Sequence, residues 1–327
     1  MSMDFGVMLL TQHSADRDSR TCAEELRSTA RLAEDLGYDS LFVGEHHFTE
    51  DVYLDNFQVL PHLAAITDEV RIGTAVCLVP LHNPVQLAER LGTLDVLSDG
   101  RLIFGGGVGY RQEEFDIMGV PKAERGQRTT ETLEIAHRLW HDDGVSYDGR
   151  IFDFDGVSIN PKPVQDGGPD VWVGGTAPPA IRRAADLGDA WLIDARSPRS
   201  DVRDQYAVYE DSLVDRPTER PIRREVYVAD TDERARELAL PSLSAKYDTY
   251  QNWGGGDAMG SADDAFEEFI EDRFVIGSPQ TVIEELEGYQ EAFDVNHVVM
   301  RHRWPGMPVD DAHASIELFA DEVIPAF

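Results

Sequence analysis

Residues 71–110 read "RIGTAVCLVPLHNPVQLAERLGTLDVLSDGRLIFGGGVGY" and contain one complete strand–helix–strand unit. The apolar runs 71–76 and 101–106 predict two buried strands, and the segment 84–98 between them predicts a helix. Asn83 followed by Pro84 marks the start of that helix, because asparagine caps a first turn and proline fits its first position. Units of this kind are the building blocks of α/β folds.

The same alternation of strand and helix continues along the rest of the chain. Eight candidate strands are 4–10, 40–44, 71–76, 101–106, 170–174, 190–193, 223–229 and 296–300. Candidate helices are about 20–36, 57–67, 84–98, 125–141, 179–187, 199–213, 231–247, 280–293 and 312–324. Because no linker separates these units, they predict a single α/β domain over 1–327, a (β/α)8 TIM barrel.

Two insertions interrupt this pattern. Residues 143–169, after strand four, predict an extended excursion that a Pro/Gly-rich turn closes. Residues 248–278, after strand seven, contain the glycine-rich run "NWGGGDAMGSADD". A long glycine-rich loop beside a barrel mouth is typical of an active-site lid, so we expect residues 248–278 to order with a ligand.

The chain is strongly acidic, with 62 acidic against 29 basic residues and a net charge of −33. The acids are spread along the chain, and the only lysines are Lys122, Lys162 and Lys246. One interpretation is a basic partner. The favoured one is a surface adapted to molar salt, where charges are screened within about 3 Å. The acidity argues against binding to nucleic acid, which requires a basic surface.

The sequence contains no signal for a membrane or for secretion. No run approaches the ~20 apolar residues of a membrane helix, and "MSMDFGVMLL" at the N-terminus lacks the features of a secretory signal. Cys22 and Cys77 are the only cysteines, too few for a disulfide framework or a cysteine-rich zinc site. These observations predict a cytoplasmic protein that has no membrane partner.

Polar and glycine-rich segments follow several of the predicted strands. In a (β/α)8 barrel the loops after the strands build the active site. Glu45, His46 and His47 follow the second strand, and Asp194 and Arg196 follow the sixth. The other strand ends lead into "PLHNP", "GGGVGYRQEEF", "GGTAPP" and "RHRW". We therefore expect glycines, histidines and arginines to collect on one rim of the barrel.

The adjacent histidines are the strongest candidates for chemistry. A neutral imidazole exchanges protons near pH 7, which suits general acid–base catalysis. The alternative is a structural role, in which a histidine caps the end of the strand through hydrogen bonds. No metal site is predicted, because adjacent histidines on a strand end diverge and no nearby cysteine completes a ligand set.

Two glycine-rich turns are candidate phosphate sites. Gly174, Gly175, Thr176 and Ala177 lie directly before a helix, and bare N–H groups at a helix start bind anions. The alternative is a tight turn that needs glycine for its backbone conformation. Residues 105–110, "GGGVGY", resemble a phosphate loop but lack the Walker spacing.

Taken in series, these stretches resemble the bacterial luciferase-like family of flavin- and deazaflavin-dependent oxidoreductases. The landmarks are residues 71–110 together with "GYDSLFVGEHHFTE", "PDVWVGGTAPPAIRRAADLGDAWL" and "IGSPQTVIEEL". The resemblance implies a (β/α)8 barrel, usually a homodimer, that binds FMN or coenzyme F420 at its C-terminal rim. The acidic composition is typical of proteins from a haloarchaeal-type proteome.

The resemblance also assigns roles to individual residues. It makes His46 the catalytic residue, places the cofactor phosphate at Gly174–Ala177, and implies a non-proline cis peptide near Ala75–Val76 that supports the flavin ring. The cofactor-binding residues it implies are Glu45, Ala75, Val76, Gly107, Tyr110, Gly174, Gly175, Thr176 and Ala177. Val108 stands where the luciferase has a phosphate-binding arginine, and Arg111 is a candidate substitute.

The predicted substrate pocket rests on residues near the same strand ends. Its members are His47, Leu78, His302 and Trp304. Trp304 has a second interpretation as an aromatic residue packed by Pro305. The basic group Arg301–Arg303 either steers an anion or balances the acidic surface.

The first functional hypothesis is an oxidoreductase that uses reduced FMN, supplied by a separate flavin reductase, and O2 to oxygenate a small organic substrate. A second hypothesis is F420-dependent hydride transfer without O2. "EHHFTE" resembles the flavin branch and "GVGYRQEEF" the deazaflavin branch, so both stay open. A third is a non-catalytic flavin-binding paralogue. A hydrolase is disfavoured, because no paired carboxylates or HxH motif stands at a strand end.

Overall fold

All eight predicted strands are present in the computed structural model, which describes residues 2–214, 217–254, 266 and 269–327. In chain order they are β1 Asp4–Met8, β2 Ser40–Val43, β3 Arg71–Thr74, β4 Leu102–Gly107, β5 Asp170–Gly174, β6 Ala190–Leu192, β7 Pro221–Val228 and β8 His297–Arg301. Their bounds lie within a few residues of the predicted ones.

These strands form one curled parallel sheet in the order β6–β5–β4–β3–β2–β1–β8–β7. An isolated parallel bridge between Ile193 and Ile222 connects the residue after β6 to β7. Parallel strands carry apolar residues on both faces because helices cover one face and other strands the second. The protein therefore has an α/β fold of the TIM-barrel type.

α-Helices accompany the strands along the described part of the chain. They are α1 Ser19–Asp35, α2 Asn56–Ile66, α3 Pro84–Leu97, α4 Gln112–Met118, α5 Arg125–His141, α6 Pro178–Leu187, α7 Arg199–Ser212, α8 Asp232–Asn252, α9 Pro279–Phe293 and α10 Val309–Glu322 in the described part of the chain. The predicted cap is confirmed at α3, where the Asn83 side chain accepts from the Gln86 N–H. Ser278 caps α9 in the same way.

The apolar core has two main layers that follow from the pleat of the strands. One face of the sheet points inwards and buries a small cluster, Met8, Phe42, Ala75, Ile103, Trp172, Ala190, Leu192 and Val299. The opposite face packs against the helices and forms a much larger cluster. Because successive side chains alternate between the two faces, strands such as β1, β4, β5 and β8 contribute to both layers. The strand ends are thereby fixed around one opening.

The excursion at 143–169 contains an antiparallel hairpin, Val145–Asp148 paired with Asp153–Val157. Its turn is held by Glu131 on α5, which accepts hydrogen bonds from the backbone N–H groups of Arg150, Ile151 and Phe152. Glu131 is 1% exposed, so its carboxylate is buried and its hydrogen bonds go to the backbone of the turn. The sequence did not predict this hairpin.

The insertion at 248–278 is only partly described. Helix α8 extends into it and ends at Asn252, and Val275–Gly277 forms a short strand beside β7. The glycine-rich part of the predicted lid falls mainly on 255–265, which, with 267–268, lie outside the described residues. Further short strands are Gln12–His13, Val52–Tyr53 and Cys77–Leu78, and the 3-10 turns are Val79–Leu81, Lys122–Glu124 and Ile324–Ala326.

Within the described ranges, the helices are too short or too polar to cross a membrane.

Candidate active site

The carboxyl ends of the parallel strands open onto a cavity of about 310 Å3. Most of the residues that the sequence singled out line it. They are Glu45, His46, Ala75, Val76, Leu78, Gly107, Tyr110, Gly174, Gly175, Thr176 and Ala177. The structure therefore brings these residues together, and their individual roles stay predictions.

His46 is held by a carboxylate that sequence reasoning missed. Its Nδ1 lies 3.0 Å from Oε1 of Glu114, and the same oxygen accepts the backbone N–H of His47 at 2.9 Å. Glu114 lies on α4 and is fully buried. A carboxylate at Nδ1 places the proton of the neutral ring on that atom, which leaves Nε2 as the proton acceptor. His46 is thus oriented for proton transfer.

Aromatic rings surround the His46 imidazole. The ring centroids of Tyr53, Tyr110, Tyr250 and Trp253 lie 5.2 to 5.8 Å from that of the imidazole. Tyr250 belongs to the last turn of α8 and stacks on Trp253, which directly follows that helix. The His46 side chain is consequently only 10% exposed. Such a wall excludes water and strengthens electrostatic interactions inside it.

Glu45 organises the next loop and takes His47 away from the cavity. Its Oε1 lies 2.8 Å from Nε2 of His47 and 2.9 Å from Nε2 of His82, and its Oε2 accepts the Leu78 N–H at 2.5 Å. Burial alone would raise the pKa of Glu45, but the hydrogen bonds from His47 and His82 lower it below its ordinary value. His47 does not line the cavity. This corrects its assignment to the substrate pocket, because its ring is bound to Glu45.

One group of possible metal ligands lies beside the adjacent histidines but includes neither of them. Glu45, Cys77 and His82 place their ligand atoms within 4.8 Å of one another. Burial raises the pKa of the Cys77 thiol well above its ordinary value. Both oxygens of Glu45 already accept hydrogen bonds, so we interpret the group as a hydrogen-bonded cluster that holds the loop after β3.

The turn after β5 has the backbone that the anion-site hypothesis requires. Helix α6 begins with Pro178 and Pro179, which lack N–H groups, so the N–H groups of Thr176 and Ala177 are the donors that an anion would meet. Gly175 has φ of +155°, and a Cβ added there would lie 2.5 Å from Cβ of Ala180. Only glycine therefore fits this turn.

Arg125 is one of the cationic residues of the cavity wall. Arg125 begins α5 and lines the cavity together with Gly174–Ala177. The predicted substitute, Arg111, has its donors occupied elsewhere, since it donates to the carbonyl oxygens of His47 and Phe48. It also pairs with Glu113 and lies over Trp253. Nothing in the local sequence distinguishes Arg125, because it is brought to the site by a helix and not by a strand end.

The expected cis peptide is confirmed between Ala75 and Val76. Arg223, which lines the cavity, donates from Nη1 to the Ala75 carbonyl oxygen at 3.1 Å and so hydrogen-bonds to this peptide. A Cβ added at Gly107 would lie 2.7 Å from Val76 Cγ2, and one at Gly174 would lie 3.2 Å from Val76 Cγ1. Glycines in β4 and β5 therefore make room for the Val76 side chain at the cavity wall.

His302 and Trp304 lie away from the cavity, which corrects their assignment to the substrate pocket. His302 is 1% exposed, and its Nδ1 lies 3.2 Å from the Ser315 hydroxyl oxygen. Trp304 is fully buried and donates from Nε1 to Glu225 at 2.5 Å. Side chains alternate at the end of a strand, so Arg301 takes the cavity side and its neighbour His302 the helix side.

Besides Arg125 and Arg223, the described cavity wall contains Arg196 and Arg301. Arg196 forms a bidentate pair with Asp194, with Nε–Oδ1 at 3.0 Å and Nη2–Oδ2 at 3.1 Å. Burial alone would raise the pKa of Asp194, but Arg196 and Arg223 lower it below its ordinary value. Arg301 ends β8 and lies beside Tyr53 and Tyr250, the neighbours of His46.

The family model of luciferase-like monooxygenases matches residues 3–295. The chain belongs to this family. It is therefore an oxidoreductase, as the family's members are.

Relatives of two kinds resemble this luciferase-like chain along most of its length. A 5,10-methylenetetrahydromethanopterin reductase from Archaeoglobus fulgidus is 29% identical over 92% of this chain and 95% of its own. The oxygenase component of a flavin-dependent trigonelline monooxygenase from Acinetobacter baylyi is 25% identical over 99% and 96%. The solved coenzyme F420-dependent tetrahydromethanopterin reductase of Methanopyrus kandleri superposes with a TM-score of 0.77, at 22% identity over 100% of both chains. This last likeness shows the fold.

Proposed function

We propose that this luciferase-like protein is a monooxygenase that uses reduced FMN and O2 to oxygenate a small organic substrate. The observation that carries the proposal is the placement of His46. Its imidazole lines the cavity, a buried carboxylate orients it, and aromatic rings shield it from water. An oriented acid–base residue in a dry pocket is what a proton-transfer step beside a cofactor requires.

The residues at the other parts of the cavity fit a phosphorylated flavin. The N–H groups of Thr176 and Ala177 and the guanidinium of Arg125 would bind the phosphate. The Ala75–Val76 peptide and the glycines of β4 would lie against the flat flavin ring. Reduced FMN, when bound, supplies the two electrons of the reaction. The chain itself binds the cofactor, excludes water and moves a proton at His46.

A second candidate is F420-dependent hydride transfer without O2. It is favoured by Val108, which stands where the luciferase has a phosphate-binding arginine, and by the two reductase relatives. The same turn and the same histidine would serve this reaction. A non-catalytic flavin-binding paralogue is the third candidate, and the retained, oriented His46 argues against it.

The cofactor assay separates these candidates. The purified protein in molar KCl is supplied with reduced FMN from an added flavin reductase, or with reduced F420, and a panel of small organic compounds. We expect substrate-dependent O2 uptake with reduced FMN and an oxygenated product by mass spectrometry. Oxidation of reduced F420 coupled to substrate reduction under nitrogen would instead establish the second candidate. Binding of either cofactor with no turnover on any compound would favour the paralogue.

We infer further features of the protein that accompany this function. The Ile193–Ile222 bridge supports closure of the sheet as a full (β/α)8 barrel, with insertions at 143–169 and 248–278 after strands four and seven. The proposed partners are a small-molecule substrate, a separate flavin reductase and a second copy of the chain in a homodimer. Size-exclusion chromatography with light scattering tests the dimer.

A further inference from the structure

Arg301 has hydrogen-bond donors that the described part of the chain leaves unused. It is 7% exposed and lines the cavity at the end of β8. Its partners among the described residues are the Met8 sulfur, 3.2 Å from Nη2, and the Tyr250 hydroxyl. A thioether is a weak acceptor, and a guanidinium carries five N–H donors. A cation in this position therefore has donors available to a ligand in the cavity.

The nearby carboxylates are already engaged. Glu225 lies opposite Arg301 in the sheet register, but it accepts from Trp304 at 2.5 Å and also binds Lys246. Asp194 is bound by both sides of the Arg196 fork. Glu225 attracts Arg301 electrostatically, but among the described residues no hydrogen bond joins either carboxylate to Arg301.

The described cavity wall as a whole carries more positive than negative charge. Its guanidinium groups are those of Arg125, Arg196, Arg223 and Arg301, and its carboxylates are those of Glu45 and Asp194. Four positive and two negative groups leave an excess of two positive charges, in a chain whose net charge is −33. A buried cation without a paired anion is unfavourable, so this excess indicates anionic ligands.

Two separate anion positions follow from where the arginines lie. Arg125 and the turn Gly174–Ala177, where a cofactor phosphate is proposed, line the same cavity. Arg301 ends β8, three strands further along the sheet through β6 and β7. One phosphate fills the first position and leaves the second beside Tyr53 and Tyr250, the aromatic neighbours of His46.

We propose that the substrate is a small aromatic carboxylic acid whose carboxylate is bound by Arg301 next to His46. This rests on the proposed function for the identity of the site and adds the chemical class of its substrate. The guanidinium fork matches a carboxylate in a bidentate manner, and the rings of Tyr53, Tyr110 and Tyr250, which line the cavity, suit a flat apolar body. Arg301 is thus a specificity-determining residue.

Binding of benzoate and of its neutral analogue benzamide tests this assignment. Calorimetric titration of the cofactor-free protein, in a high concentration of a potassium salt, gives both affinities for wild type, Arg301→Met and Arg301→Lys. We expect wild type to bind benzoate at least about tenfold tighter than benzamide, which is ~1.4 kcal/mol. Arg301→Met should lose this preference, and Arg301→Lys should keep part of it because it keeps the charge without the fork.

A matched control is Arg303→Met. Arg303 is also nearly buried after β8, but it pairs with Glu25 at 2.9 Å and does not line the cavity. This variant should keep the wild-type preference for benzoate. Circular dichroism establishes that each variant is folded, and if Arg301→Met is not, the wild-type preference and its reduction in Arg301→Lys decide the question.

The same variants distinguish a substrate carboxylate from the anionic ring of a reduced cofactor. Titrations with oxidised and reduced FMN, and with oxidised and reduced F420, are run beside those with benzoate. If Arg301→Met weakens only the reduced cofactor and leaves the benzoate preference intact, the anion belongs to the cofactor and the proposal is overturned. Equal wild-type affinities for benzoate and benzamide, or no benzoate binding, also overturn it. Benzoate binding is measured without cofactor and without turnover. The titrations therefore test the role of Arg301 even if the protein proves not to be an FMN-dependent monooxygenase.

Discussion

Each of the two adjacent histidines is hydrogen-bonded through its ring to a different buried carboxylate. Glu114 holds His46 on the cavity side, and Glu45 holds His47 on the other. The side chains of neighbouring residues at a strand end point apart, so each imidazole reaches a different carboxylate. This geometry gives the pair unequal roles, in which one residue is available for proton transfer and the other secures the loop.

The link between Glu45 and His47 should make stability depend on pH. The hydrogen bond with Glu45 raises the pKa of His47 above 6.5. The stabilisation by protonated His47 is therefore complete below pH 6.5 and is lost as the pH rises through the raised pKa. The pKa of Glu45 is lowered from 4.5, so its contribution is present above that pH and is lost in acid. The link should therefore stabilise most between about pH 4.5 and 6.5.

Urea unfolding of wild type and His47→Ala at several pH values tests this expectation. The difference in free energy of unfolding should be on the order of 1 kcal/mol near pH 6 and smaller near pH 8. His62→Ala, an exposed histidine on α2, is the control and should show no such trend. A difference that stays constant, or grows, from pH 6 to pH 8 would contradict the assigned link.

Among the helices and strands, those marked by long apolar runs or by a clear helix start could be predicted from the sequence. The eight strands were found because each buries side chains on both faces, and α3 was found through its Asn83–Pro84 start. Helix α4 was missed because its seven residues, "QEEFDIM", show no sustained period. Its absence from the prediction hid Glu114, which is 68 residues from His46 in sequence. Contacts across such distances are set by the fold and leave no local signal.

The turn between β5 and α6 gives a prediction at this scale. Gly175→Ala should weaken cofactor binding at least about tenfold, or ~1.4 kcal/mol, because its Cβ would force the backbone away from Ala180. Fluorescence titration with the cofactor identified by turnover measures this effect. Gly37→Ala is the control, since Gly37 also has positive φ but lies after α1 in open space. Equal cofactor affinities in Gly175→Ala and wild type would place the phosphate elsewhere.

The whole molecule combines an acidic chain with a cavity of opposite charge. A net charge of −33 destabilises the compact state through self-repulsion, and salt screens exposed charges more than the buried arginines of the cavity. We expect the melting temperature to rise steadily from low to molar KCl. The increase should also appear with potassium acetate, which would assign it to screening by ions in general. A melting temperature that is flat or falls with salt would contradict this account of the surface.

The central claim is that His46 transfers a proton to or from the reacting groups in this cavity. The measurement that tests it most directly is the rate of product formation in a single turnover by His46→Ala, at saturating cofactor and with the best substrate of the wild type. The rate should fall by about 10²–10⁴-fold while cofactor affinity stays near that of wild type. His47→Ala should lose stability but turn over nearly normally per folded molecule. A His46→Ala rate within about threefold of wild type, or a larger loss in His47→Ala, would show that His46 only caps the end of β2.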